Sequence, residues 1–186
     1  MKRLCTLASV AFVFSGSSIA AELTAEIPKD DVAFITKATT AAPSAIGQKA
    51  TIVRVGDGFK LTPIRQGTNG WTCTVNTDGA PWCADANAVE WFVAISTQKE
   101  PPDKTGFVYM MAGDTGTSNH DPYATDKSHW VQTGPHVMIV GAAAREMEGM
   151  YPRAMDPDPS QAYVMFPGTP YAHLMLPVHS HQVAAK

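Results

Sequence analysis

Two segments that place a histidine and a methionine two residues apart form the sharpest chemical pattern in this sequence. His136-x-Met138 and His173-x-Met175 each lie in an apolar run typical of a buried β-strand. Residues two apart on a strand share one face, so each segment would present an imidazole and a thioether to the same side. This soft ligand set favours copper, Cu(I) especially, over magnesium or calcium. The sequence therefore predicts a metal-binding cluster of these four side chains.

The cluster depends on how the two strands pair. We expect an antiparallel pair with His136 opposite Met175 and Met138 opposite His173, because directly facing Cβ atoms lie about 4.5–5.5 Å apart. The alternative is packed interior, since methionine commonly fills cores and a buried histidine often donates to a backbone carbonyl. Both interpretations stay open, because a further apolar strand separates the two segments along the chain.

The long polar segment of residues 113–134 supplies the secondary site candidates, His120 and Asp121. Loops of this length inside a compact domain are usually functional or partly mobile. Imidazole and carboxylate groups there could bind a divalent ion or act as general acid and base. The spacing does not match an EF-hand, and a solvated turn is the competing interpretation. Further candidate side chains on the same segment are Asp114, Asp126 and His129.

Common enzyme motifs are missing from the chain. The sequence contains no Gly-x-Ser-x-Gly elbow, no His-Glu-x-x-His pair, no Walker loop and no dinucleotide-binding glycine pattern. An enzyme of unassigned type using His120, Asp121, His136 or His173 is therefore the second hypothesis. A structural or interaction domain without a small ligand is the third.

The elements that would position these residues can be located from periodicity, capping and turn residues. Asp85 can cap a helix over 86–98, and a second short helix is predicted over 28–40. The turn at 56–58 predicts a hairpin, and a second hairpin is predicted near the C-terminus. The pattern predicts an α+β fold: one domain with a mainly antiparallel sheet and two to three short helices. The predicted strands are residues 50–55, 59–64, 70–75, 106–111, 136–140, 162–166 and 171–176.

The cysteines and the N-terminus indicate an oxidising compartment. Residues 1–20 have the basic start, short apolar run and small-residue cleavage site of a signal peptide, so we expect a periplasmic or secreted protein. Residues 21–186 would then be one secreted domain, with 178–186 as a flexible tail. Cys73 and Cys83 bracket a turn-rich segment and are predicted to form a disulfide.

Composition excludes some partners. Cleavage after residue 20 leaves 12 basic residues against 17 acidic ones, so nucleic acid is not an expected partner. No later run approaches the roughly 20 apolar residues that span a bilayer, so stable membrane insertion is not expected either. Trp71, Trp82 and Trp91 are predicted to pack in the core near the disulfide, with an exposed stacking platform as the alternative.

Four strings in the chain carry a resemblance to a known group of proteins. They are Gly67-Thr-Asn-Gly-Trp-Thr-Cys73, Asp121-Pro-Tyr-Ala-Thr125, Gly134-Pro-His-Val-Met-Ile139 and Tyr163-Val-Met-Phe-Pro-Gly-Thr-Pro-Tyr-Ala-His-Leu-Met175. Together they resemble an uncharacterised family of secreted bacterial proteins over roughly residues 67–178. The resemblance implies a secreted single domain and carries no biochemical role.

The leading hypothesis is a small periplasmic or secreted binding protein. Its ligand site is expected where the His136 and His173 strands meet the 113–134 segment, and copper is the most specific ligand that the residues indicate. The sequence does not specify the strand order, the oligomeric state or the physiological partner.

Overall fold

The computed structural model describes residues 26–178, which form an α+β fold around an eight-stranded sheet. The helices are α1 (Asp31–Thr39), α2 (Ser44–Gly47), α3 (Ala86–Ser96) and α4 (Ala142–Met147). The strands are β1 (Thr51–Gly56), β2 (Lys60–Arg65), β3 (Thr72–Val75), β4 (Pro81–Ala84), β5 (Thr105–Met110), β6 (Thr117–Ser118), β7 (Trp130–Val131), β8 (His136–Gly141), β9 (Tyr163–Met165) and β10 (His173–Pro177). Short 3-10 turns cover Asp57–Phe59 and Glu148–Met150.

The sheet is mainly antiparallel, as predicted, but it is mixed rather than purely antiparallel, because it contains one parallel strand pair. Its strand order is β2-β1-β3-β4-β5-β8-β10-β9, and β6 and β7 form a separate ribbon. Strands β1 and β3 pair in parallel, whereas the other neighbours in the large sheet are antiparallel. The parallel pair arises because the chain leaves β2, passes the start of β1 and forms β3 on the side of β1 that is opposite β2.

The crossing from β2 to β3 depends on Gly67. A Cβ at this position would lie 2.1 Å from the backbone nitrogen of Thr51, so a side chain has no room there. Hydrogen bonds fasten the crossing, because Thr68 donates to the carbonyl of Lys49 and Thr51 donates to that of Trp71. The sequence pattern of alternating strands does not reveal such a crossing.

Helices cover both faces of the sheet. Neighbouring residues of β4 divide between two cores: Trp82 and Ala84 pack with Trp91 of α3, and Cys83 packs with Phe34 of α1. This is the two-residue period of a strand buried on both sides. Met147 at the end of α4 packs against a third cluster, which contains Leu174 of β10. Within residues 26–178 the structure has four short helices, where the sequence predicts two to three.

Helix α3 is tied closely to β5. Its capping residue, Asp85, accepts a hydrogen bond from the amide of Ala88 at 2.8 Å and another from the amide of Phe107 at 3.0 Å. One carboxylate therefore satisfies an orphan helix donor and joins the helix to the strand. Gly106 faces the first turn of α3, where a Cβ would come within 2.4 Å of the Ala88 nitrogen.

The predicted disulfide between Cys73 and Cys83 is confirmed. The two cysteines face each other across the antiparallel pair of β3 and β4, and both are fully buried. Closing this short loop restricts the unfolded chain and contributes about 2–3 kcal/mol to stability. The bond lies on the face opposite Trp82 and holds the strand that carries that ring.

Two regions of the sequence lie beyond what the structure describes. The predicted signal peptide at residues 1–20 is outside the described residues, as is the predicted tail except for Val178. Between residues 26 and 178, none of the helices is long and apolar enough to cross a membrane.

Candidate functional site

A cavity of about 610 Å³ opens on the face of the sheet that carries α3. Its volume falls within the roughly 300–1,000 Å³ of typical small-molecule sites. Strands β4, β5, β8, β9 and β10 form the floor. The walls come from α3, the β1–β2 turn, the β3–β4 turn and the start of the 113–134 segment. The main sheet of the fold thus builds the site, and the tips of its hairpins surround it.

All four residues of the predicted metal cluster line this cavity, but not in the predicted register. Strands β8 and β10 pair antiparallel with Met138 opposite Met175 and His136 opposite Pro177. The prediction that His136 faces Met175 is therefore wrong by two residues. A shift of two keeps every side chain on its face, because the strand period is two. The four side chains consequently share one cavity despite the different pairing.

Two further methionines, Met110 and Met165, line the cavity and were not singled out from the sequence. Met110 lies opposite His136 across the β5–β8 pair, and Met165 lies opposite His173 across the β9–β10 pair. Each histidine therefore has a methionine as its cross-strand neighbour. Neither methionine has a histidine two residues away in sequence, and only strand pairing brings them to the site.

Both imidazoles are held in the same tautomer by the backbone. Nδ1 of His136 bonds to the carbonyl oxygen of Gly134 at 2.7 Å, and Nδ1 of His173 bonds to that of Tyr171 at 3.0 Å. A carbonyl can only accept, so Nδ1 donates and Nε2 of each neutral ring keeps its lone pair. Nε2 of His136 is buried and has no hydrogen-bond partner among the described residues. Metal-binding histidines commonly donate their second nitrogen in this way.

Burial keeps both histidines neutral. Desolvation lowers the pKa of His136 to about 4, and the hydrogen bond to Gly134 only partly opposes it. Desolvation also lowers the pKa of His173 to about 4, with a further lowering from the charge of His136. Both rings line the same cavity. At neutral pH both offer a lone pair without first losing a proton, as metal binding requires.

Asp114 brings a carboxylate into the cavity beside His136. Its Oδ1 accepts hydrogen bonds from the amides of Thr133 at 2.8 Å and Gly116 at 3.0 Å. Its Oδ2 lies 4.0 Å from Nε2 of His136, which is too long for a hydrogen bond. Burial raises the pKa of Asp114 to about 6, against the lowering effect of the two amides. The carboxylate is therefore mostly ionised at pH 7.

Aromatic rings form much of the wall. Trp82 stacks on Phe92 with centroids 4.7 Å apart, and Trp91 meets His173 edge to face at 5.1 Å. Nε1 of Trp91 is buried without a hydrogen-bond partner among residues 26–178. The structure packs Trp82 and Trp91 in the core, as predicted. Both side chains also line the cavity.

Two of the wall aromatics occupy strained backbone positions. Phe59 has φ of 60° and Phe166 has φ of 55°, both in the left-handed region that bulky residues rarely adopt. Such a conformation costs of order 1–3 kcal/mol and persists where surrounding structure enforces it. Both rings line the cavity, so the strain is located at this site.

The secondary candidates, His120 and Asp121, lie away from the cavity lining. Nε2 of His120 lies 3.0 Å from Oγ of Ser128, and Asp121 accepts a hydrogen bond from the amide of Tyr123. The latter is a turn-stabilising contact. Within the described part of the chain, no three His, Cys, Asp or Glu side chains gather to hold a metal ion. The loop residues therefore form a hydrogen-bonded surface cluster.

The shifted pKa values predict that the metal-free protein loses stability in acid. Each histidine has a pKa of 6.5 in the unfolded chain and about 4 in the folded protein. It therefore stabilises the fold fully at pH values above 6.5, and this stability is lost as the pH falls from 6.5 toward 4. Each shift corresponds to about 3 kcal/mol. Asp114 has the opposite effect on stability. Because its pKa is raised to about 6 in the folded protein, the fold gains stability as the pH falls through 6, and the gain is similar in size to the loss from one histidine. Two histidines against one carboxyl leave a net loss of about 3 kcal/mol between pH 7 and pH 4.

Urea unfolding at pH 7, 5.5 and 4 measures this loss. The Asp114→Asn variant removes the opposing contribution, so its stability is expected to fall more steeply than that of the native chain. Stability that rises toward pH 4 in both proteins would contradict the assignment of buried, neutral histidines.

Fold and site together define a disulfide-bonded α+β protein with a ligand-sized cavity of histidine, methionine and aromatic side chains. No protein-family model, curated protein or solved structure matches this chain. The function must therefore be argued from the cavity itself.

Proposed function

We propose that this protein binds Cu(I) through His136, His173 and the methionines beside them. The observation that carries the proposal is that both imidazoles and Met138, Met175, Met110 and Met165 line one cavity. Each imidazole has Nδ1 occupied by a backbone carbonyl, which leaves Nε2 for a ligand.

The ligand chemistry favours Cu(I) over other metals. Thioether sulfur is a soft donor that suits Cu(I), whereas calcium and magnesium require oxygen ligands and zinc sites use thiolate, imidazole or carboxylate. The described residues offer no group of three harder ligands, so a bound metal would depend on the thioethers.

The compartment is part of the same proposal. A buried disulfide supports a location outside the cytoplasm. The basic and apolar start of residues 1–20 supports export by a signal peptide. We infer a periplasmic or secreted copper-binding protein.

The direct test is a titration of the native protein under anaerobic conditions. Cu(I) is offered in competition with a chromophoric Cu(I) chelator, and Zn(II) is titrated in parallel. We expect one Cu(I) per chain and at least tenfold weaker Zn(II) binding. Replacing Met138 and Met175 together by leucine should weaken Cu(I) binding by at least tenfold, because leucine keeps the apolar volume and removes the sulfur.

The control for this variant removes two methionines elsewhere. Met150 and Met155 are 77% and 42% exposed and do not line the cavity, so their double replacement by leucine should leave Cu(I) binding unchanged. Equal binding by the Met138→Leu/Met175→Leu variant and the native chain would contradict thioether ligation. Absence of Cu(I) binding by the native chain would refute the proposal.

A further inference from the structure

The cavity is much larger than one metal ion requires. Its 610 Å³ extends from the histidine and methionine floor to a wall of aromatic rings and a set of acidic residues. A bare ion fills a small part of such a space, and apolar walls of this size are typical of sites for organic molecules. The charges and hydrogen-bonding atoms of the lining indicate which class of molecule fits.

The charged groups in the lining are of one sign. Apart from the two neutral histidines, its ionisable side chains are carboxylates, and neither lysine nor arginine is among the described residues that line the cavity. A carboxylate or phosphate ligand would therefore lose its hydration without gaining a cationic partner. A cation would be favoured. The acidic residues are Asp57, Asp78 and Asp114.

Two atoms of the cavity lining can accept a hydrogen bond from a ligand. Oδ2 of Asp114 and Nε2 of His136 both accept hydrogen bonds and lie 4.0 Å apart. The histidine nitrogen is fully buried without a partner, a state that costs about 1–3 kcal/mol. One ammonium nitrogen about 2.8–3.0 Å from each atom can donate to both. The side chain of Asp114 is 14% exposed, so water competes weakly there.

The aromatic wall suits the remainder of such a molecule. Phe59, Trp82 and Phe92 pack together with centroids 4.7–6.3 Å apart and all line the cavity. Aromatic faces attract organic cations and cover apolar groups without requiring hydrogen bonds. The left-handed backbone at Phe59 is consistent with a position enforced for a ligand.

We propose that the cavity binds a small organic amine, with its ammonium group between Asp114 and His136 and its apolar body against the aromatic wall. This site goes beyond the copper proposal and does not rest on it. The two share Nε2 of His136, so Cu(I) and the amine would compete for that atom, but the carboxylate and the aromatic wall are separate from the thioethers that would hold Cu(I).

Isothermal titration of the metal-free protein at pH 7.5 tests the proposal with three probes of similar shape. These are 2-phenylethylamine, the neutral 2-phenylethanol and the anionic phenylacetate. We expect the amine to bind at least tenfold more tightly than either of the others. Binding of the alcohol or the acid as tight as that of the amine, or no binding of the amine, would overturn the proposal.

The Asp114→Asn variant identifies the group that recognises the ammonium. Its amide oxygen can still accept from Thr133 and Gly116, so the fold is expected to be kept, while the negative charge is removed. Amine affinity should fall at least tenfold. The control is Asp103→Asn, which changes an 89% exposed carboxylate outside the cavity and should leave amine affinity unchanged. Unchanged amine affinity in Asp114→Asn would overturn the assignment.

The two proposals can fail separately. The Met138→Leu/Met175→Leu variant is expected to lose Cu(I) and keep the amine, and Asp114→Asn is expected to do the reverse. Amine binding without any Cu(I) binding by the native chain would refute the copper proposal alone. Cu(I) binding without amine binding would refute the amine proposal alone.

Discussion

Replacing His136 and His173 together by alanine is expected to abolish Cu(I) binding, with a loss of affinity of at least 100-fold. Both nitrogen ligands of the cluster disappear, and the remaining thioethers are weak donors without them. Competition with a chromophoric Cu(I) chelator measures the loss directly. Each single replacement should weaken binding less than the double one, because the other imidazole remains.

The double variant must be separated from a folding defect. Both side chains are buried and bond to carbonyls two residues earlier in the chain, just before their strands begin, so alanine leaves space in the core and costs stability. Circular dichroism and the urea midpoint show whether the variant is folded at the temperature of the titration. If it is unfolded there, the single variants, each measured while folded, carry the test.

The matched control removes two imidazoles that lie outside the cavity. The rings of His120 and His129 are 5.6 Å apart on the surface, where His129 pairs with Asp156. Their double replacement by alanine should leave Cu(I) affinity unchanged. A loss of binding in this control, with binding retained in the His136→Ala/His173→Ala variant, would place the copper site on the loop and contradict the cavity assignment.

Gly106→Ala is expected to be strongly destabilising, with a loss of about 3 kcal/mol or more. The added Cβ would lie 2.4 Å from the nitrogen, 2.7 Å from the Cα and 2.8 Å from the Cβ of Ala88. These atoms belong to the first turn of α3 and are mostly backbone, so no flexible side chain can move away. Either the helix shifts off the sheet or β5 distorts.

This prediction also concerns the cavity, because α3 carries Trp91 and Phe92 in its wall. Urea unfolding measures the stability, and Cu(I) titration of the folded fraction shows whether displacement of the helix changes the site. Gly149→Ala is the control, since its Cβ would meet no atom within 4 Å and its φ is not left-handed. That variant should change stability by less than about 1 kcal/mol. Similar stability of the two variants would contradict the close packing of α3 on β5.

The local elements of this fold were largely predictable from local chemistry. The capping aspartate and apolar spacing of 86–98 predict a helix, and α3 runs from Ala86 to Ser96 with Asp85 as its cap. The turn at Gly56-Asp57-Gly58 predicts the hairpin of β1 and β2, and the structure pairs them antiparallel. These features depend on neighbours within a few residues, which a sequence shows directly. The disulfide was predictable for the same reason.

Strand order and register were not predictable, because they depend on residues far apart in the chain. The crossing at Gly67 makes β1 and β3 parallel, and no local pattern distinguishes that glycine from one in an ordinary turn. The register of β8 and β10 differs by two from the predicted one. Periodicity fixes the face of a strand, but packing and turn geometry select among registers that keep it.

The sequence by itself determined that His136, Met138, His173 and Met175 carry soft ligand atoms and that each pair shares a face of its strand. Tertiary structure alone decided that these faces line one cavity. It also brought Met110, Met165 and Asp114 to them and closed that cavity with α3 and the hairpin tips. The physical reason is that ligand chemistry resides in individual side chains, whereas their convergence follows from strand pairing and from the burial of two faces of one sheet.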